Sequence, residues 1–163
     1  MQASAHDLET LATRPHRVGR DPWAVALNET AATDDITVTL LTLAVVEEVL
    51  RVSGIMRLLR HSDLRLSNVP ALDLATRDGA PLSLLRAHAL PNGAMFWVSW
   101  IYARPADVCT GYKGRIDHID LSLGAGNGVR VAAVPGPWIF RFRVPEGSVP
   151  VGGSHLDDSV GEA

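Results

Sequence analysis

VVEEVLRVSGIMRLL, Val45 to Leu59, is the stretch whose reading decides the fold. Wound as a helix, it puts Glu47, Glu48 and Arg51 on one side and Ser53, Arg57 and Arg60 on nearly the opposite one, so no single polar face results. Read with period two, Leu50, Val52, Gly54, Met56 and Leu58 point one way, while Arg51, Ser53 and Arg57 point the other together with Ile55 and Leu59. The period predicts a strand. Just upstream, ITVTLLTLAVV (Ile36 to Val46) is rich in β-branched residues, which lose rotamer freedom in a helix and fit a pleated surface. Two strands meeting at Glu47-Glu48 follow. Glu-Glu lacks the positive-φ preference of a tight hairpin, so a bulge or an unbroken bent strand is the alternative at that join.

Downstream the turn signals are stronger. Arg77-Asp78-Gly79 separates ALDLAT (Ala71 to Thr76) from PLSLLRAHAL (Pro81 to Leu90), and Pro91-Asn92-Gly93 separates that segment from AMFWVSWIYAR (Ala94 to Arg104). Asp-Gly and Asn-Gly between apolar runs predict hairpins. After a loop from Pro105 to Gly114, RIDHIDLSL (Arg115 to Leu123) reads as a strand, and Gly124 to Gly128 breaks the chain before VRVAAV (Val129 to Val134) and PWIFRFRV (Pro137 to Val144). The last segment alternates cleanly, with Trp138, Phe140, Phe142 and Val144 on one face and Arg141 and Arg143 on the other. Roughly seven to nine short strands without a long helix predict an all-β chain, an antiparallel immunoglobulin-like sandwich, with a jelly roll or closed barrel as the alternative.

Residues 1 to 34 mix Ala, Thr, Arg and Asp with no sustained period and read as a flexible arm, with room for one short helix around Ala5 to Ala12. From Glu146 to Ala163 the chain is rich in Gly, Ser and acids and reads as a disordered tail, which leaves one domain from residue 35 to 145. A chain of 163 residues suits one core. The formal charge of -3 gives no reason to expect a polyanion, so nucleic acid is disfavoured as a partner. The single cysteine, Cys109, excludes an intrachain disulfide and suits a reducing compartment. With no apolar run long enough to span a membrane and no signal-like start, the expectation is a cytoplasmic location.

The strand set resembles a family of bacterial immunoglobulin-like β-sandwich modules. The resemblance is carried by ITVTLLTLAVV, PALDLATRDGAPLSLL, the W-V-S-W strand, RIDHIDLSL and the closing GPWIFRFRV, over about Ile36 to Val144. These modules are like the extracytoplasmic domains of certain membrane-anchored anti-sigma factors. The resemblance implies the fold and a non-catalytic accessory role. It does not carry over an anti-sigma function, because neither a transmembrane helix nor a sigma-binding segment precedes the sandwich.

Catalytic chemistry finds little support. Gly124-Ala125-Gly126-Asn127-Gly128 follows a strand, but a phosphate loop needs a helix behind it, and VRVAAVPGP follows instead. Cys109 has no accompanying signature, and Glu47-Glu48 and Asp157-Asp158, being adjacent, point apart in an extended chain. No cofactor motif is present. Period two places His118 and Asp120 on one face of their strand, and His61 or Asp63 would have to join them to make a metal site; solvated surface groups or a strand-edge ion pair are the plainer reading. A metal-dependent enzyme built on His118, Asp120 and His61 is therefore the weakest of three functions considered. Arg14, His16, Arg17 and Arg20 make a basic arm that reads as solvated, and the Asn28-Glu29-Thr30 sequon has meaning only in a secreted eukaryotic protein.

The aromatic strand says more. In AMFWVSWIYAR, Met95, Trp97, Ser99 and Ile101 share one face and Phe96, Val98, Trp100 and Tyr102 the other, so both faces are apolar. Either a loop or tail covers the outer face, or an aromatic patch lies exposed. Trp97, Trp100 and Tyr102 are the candidates for an interface or ligand platform. The leading expectation is a non-enzymatic module that binds a protein partner or self-associates; a carbohydrate or small-molecule binder using Trp97 or Trp100 is the alternative.

Overall fold

The computed structural model describes residues 23–60, 63–105, 110–123 and 130–144, and among them the protein is all-β with no helix. Nine strands follow in order: β1 (Trp23–Ala32), β2 (Ile36–Val46), β3 (Val49–Leu58), β4 (Arg65–Leu66), β5 (Asp73–Thr76), β6 (Leu84–Asn92), β7 (Met95–Ala103), β8 (Gly111–Ser122) and β9 (Arg130–Arg143). They form two antiparallel sheets. The first has the order β1-β2-β3-β7-β6; in the second β8 is central. Strand β9 runs along one edge of β8, while β4 and β5 share its other edge, at Leu121–Ser122 and Tyr112–Arg115 respectively. The inner faces of both sheets merge into one apolar core, including Leu40, Leu50, Val52, Met56, Trp100, Ile116, Trp138 and Phe140.

The opening stretch is a hairpin. Leu50, Val52, Gly54, Met56 and Leu58 are buried, and Arg51 and Arg57 are exposed, as the period-two reading requires. Val46 pairs with Val49, so Glu47-Glu48 is a two-residue turn, and Glu47 takes a φ of 53°. The turn is tight despite its residues. The Arg104 side chain donates to the Glu47 carbonyl at 3.1 Å and the Arg104 N–H to the Glu48 carbonyl at 2.9 Å, which ties the turn to the end of β7.

Two bulges explain why some strands do not alternate in the sequence. In β2 the buried positions run Ile36, Val38, Leu40 and then Leu43, Val45; the phase changes at Leu41, which is passed over in the pairing with β3. Opposite Leu41, β1 carries two residues, Leu27 and Asn28, and Asn28 adopts a φ of 55°. Asparagine tolerates that region. A Cβ at Gly54, across from Leu40, would lie 2.6 Å from the Thr39 carbonyl oxygen, so the close approach at this bulge requires glycine. In β8 the same re-phasing separates Ile116 from Ile119 and Leu121 and turns both Asp117 and His118 outward.

Several expectations are corrected. Residues 23–32, read as part of the arm, form β1, a strand whose pattern is hidden by the Leu27-Asn28 bulge, and Thr33 and Asp34 lie in the turn into β2; residues 1–22, with the short helix near the start, and the tail lie outside the described residues. Arg130 to Val134 and Pro137 to Arg143, read as two strands, join into the single strand β9, since β8 pairs with both. The Asn-Gly hairpin forms, Asn92 pairing with Met95 around Gly93-Ala94. The Asp-Gly turn also forms, with Thr76 N–H bonded to the Ala80 carbonyl, but only an isolated bridge, Ala75 to Pro81, follows it. Beyond that bridge β5 stays with β8 and β6 crosses to β7, so this turn changes sheets.

Candidate functional site

Strand β7 has a different duty on each face. Its inward face carries Phe96, Val98, Trp100 and Tyr102, all buried. Trp100 Nε1–H donates to the Pro70 carbonyl at 2.8 Å and the Tyr102 hydroxyl donates to the Leu72 carbonyl. A buried indole N–H or phenol needs an acceptor, and the chain from residue 67 to 72 supplies two. Trp100 and Tyr102, expected as ligand or interface residues, are therefore core residues that pin this segment from inside. Burial, and secondarily the Asp73 carboxylate, push the Tyr102 phenol well above its ordinary range, so it stays a donor.

The pinned segment is one wall of a cleft. Where the chain passes from β4 to β5 it leaves the edge of β8, and the gap opens a cleft of about 290 Å³ lined by Asn68, Val69, Pro70, Ala71, Asp73, Asp117, His118 and Asp120. The β8 bulge aims Asp117 and His118 at it. Across that bulge a Cβ on Gly136 would lie 2.8 Å from the Asp117 and Ile116 carbonyl oxygens. His118 and Asp120 share a face as the period predicts, their side chains 3.7 Å apart, with Asp120 mostly covered and His118 exposed. Asp117 pairs with Arg115 at 2.5 Å. By charge, three carboxylates partly offset by Arg115 favour a cationic group. Among the described residues no three of His, Cys, Asp or Glu are grouped to hold a metal ion, and His61 lies outside them, as does Cys109. Asn68 and Asp73 were not legible as cleft residues, because only the long-range pairing of β5 with β8 brings them there.

The outward face of β7 is the second region. Pairing registers set one row across all five strands of the first sheet: Thr30, Thr39, Ile55, Trp97 and Leu90. Trp97 is 47% exposed and its cross-strand neighbour Leu90 is 64% exposed. On the other side of Trp97 stands the half-buried Ile55. Two rows away Ile101 sits between Arg51 and Arg86, and the row on the other side places Met95 between Arg57 and Asn92. Trp97 is thus the one residue of the expected aromatic set that reaches solvent.

No family model, curated protein or solved structure matches this chain. Among the described residues no helix is long and apolar enough to cross a membrane.

Proposed function

We propose that this chain is an accessory β-sandwich module, of the immunoglobulin-like kind its sequence resembles, that acts without catalysis by binding protein through the outer face of its five-stranded sheet. The observation that carries the reading is the exposed pair Trp97 and Leu90, side by side on neighbouring strands. Covering apolar area releases about 25 cal/mol per Å², and a tryptophan ringed by smaller apolar and arginine side chains is the composition that anchors protein interfaces. For the alternative, a carbohydrate or small-molecule binder using Trp97 or Trp100, burial of Trp100 on the opposite face leaves Trp97 as the ring open to stacking.

Acrylamide quenching joined to light scattering tests this. One exposed tryptophan population, lost in Trp97→Phe, and an apparent mass that rises with concentration or with added partner are the expected results. A strict monomer in which all four tryptophans are shielded would overturn it.

A further inference from the structure

Strand β6 ends the first sheet, with β7 as its partner on one side. The direction of its other backbone groups follows from two end bonds. The Ala103 N–H reaches the Ser83 carbonyl at 2.9 Å, so odd-numbered residues of β7 bond toward β6; the Leu58 N–H reaches the Ala94 carbonyl at 2.9 Å, so even-numbered ones bond toward β3. Antiparallel pairing alternates bonded and non-bonded pairs. Leu90, His88 and Arg86, opposite Trp97, Ser99 and Ile101, therefore spend their backbone groups on β7, and Ala89 and Ala87 aim theirs away from the sheet. Pro91 falls in the same outward set, where a missing N–H takes no bond from the ladder.

The charge around this edge is one-sided. Strands β3, β7 and β6 together carry Arg51, Arg57 and Arg86 and no Asp or Glu, although the whole chain, with histidine counted neutral, has a net charge of -3. Arg86 and His88 lie on the outer face with Leu90, and Ala87 and Ala89 are half-buried on the inner one. An added strand would meet small apolar side chains on one face and basic ones on the other.

We propose that β6 accepts a sixth strand from a protein partner, an extended segment that alternates apolar residues, laid over Ala87 and Ala89, with acidic residues facing Arg86 and His88. The inference rests on the protein-binding reading and names the partner's chemistry. Main-chain bonds to Ala87 and Ala89 give the segment its hold, and the carboxylates select it over a neutral or basic one. A second copy of the chain is a poorer fit, since antiparallel pairing of β6 with itself about His88 sets His88 against His88 and gives Arg86 no acid.

The test uses the full chain with two seven-residue synthetic peptides, one alternating Val and Glu and one alternating Val and Lys, at low salt. Hydrogen exchange reads the amides of Ala87 and Ala89, and calorimetry reads affinity. The Val/Glu peptide should protect both amides and bind at least about tenfold tighter than Val/Lys, and Arg86→Glu should reverse the order. Equal binding of the two peptides, or no protection at these amides, overturns the inference. Protection that grows with protein concentration in the absence of peptide assigns the edge to a second copy; it overturns the acidic partner and leaves protein binding standing. Failure of the quenching and scattering test above removes the broader reading itself, independently of either peptide.

Discussion

Among the described residues, the outer face around Trp97 and the cleft beside His118 are opposites. The first is apolar at Trp97 and Leu90 and rimmed by arginine; the second is recessed and carries Asp73, Asp117 and Asp120. A single strand builds both. Two residues, Val98 and Ser99, stand between Trp97 and Trp100, and the odd offset of three positions sends one indole to water and the other to the core, where its N–H holds the Pro70 carbonyl in the cleft wall. A sheet residue's identity therefore says little about its role until its face is known.

The largest expected effect compares the two tryptophans directly. Trp100→Ala removes a fully buried ring and its bond to Pro70, and should destabilise by about 3 to 5 kcal/mol. Trp97→Ala should cost under about 1 kcal/mol, since its ring is already half in water. Urea unfolding of both variants decides it. Similar losses would mean that the two faces of β7 are not the different environments described.

Backbone approach gives the next effect. Gly54→Ala sets a methyl against the Thr39 carbonyl oxygen at 2.6 Å, and a backbone atom has little freedom to retreat. A loss of about 2 to 3 kcal/mol is expected, as for an overpacked core site. Because β2, β3, β5 and β8 bury their inner residues in one core, the loss should appear in the hydrogen exchange of all four strands.

Legibility divided along the same line. The first sheet is built largely of sequence neighbours, β1-β2-β3 and β6-β7, so alternation in Leu50 to Leu58 and Met95 to Tyr102 and the Asn-Gly turn were enough to read most of it. What escaped was β1, masked by the bulge at Leu27-Asn28. In the second sheet β8 and β9 are also neighbours, but β4 and β5 depend on a partner distant in the chain: Asp73 pairs with Arg115 and Arg65 with Ser122. No local pattern announces such pairs, which is why the sheet change after the Asp-Gly turn, the two-residue strand β4 and the cleft were not read. The His118 and Asp120 juxtaposition was readable, since both lie beyond the β8 bulge and keep their own two-residue period.

Tyr102→Phe loosens the cleft wall and spares the outer face. The Leu72 carbonyl loses its buried donor, at a cost of about 1 to 2 kcal/mol. The pH dependence has a definite sign. Burial and Asp73 raise the folded phenol above its ordinary 10.0, so the stabilisation is complete below that pH. It is lost as pH rises further, because the unfolded chain then releases the proton and the native one holds it. Native protein should lose stability more steeply than Tyr102→Phe above about pH 10, with acrylamide access to Trp97 the same in both. Parallel curves would show that Tyr102 is not held neutral by its surroundings.

The smallest effect asks whether the two regions unfold together. Glu47 holds a φ of 53° in the turn between β2 and β3, a left-handed conformation that costs most side chains and that the short polar side chain of asparagine tolerates. The bond from Arg104 reaches the Glu47 backbone carbonyl and survives substitution. Glu47→Asn should therefore stabilise by about 0.5 to 1 kcal/mol. Because β3 and β8 bury their inner residues in one core, the gain made at the end of the apolar sheet should appear equally in the exchange of β5 and β8 amides beside the cleft. A gain confined to β2 and β3 would mean that the sheets open separately, and that the cleft can loosen while the Trp97 face stays intact.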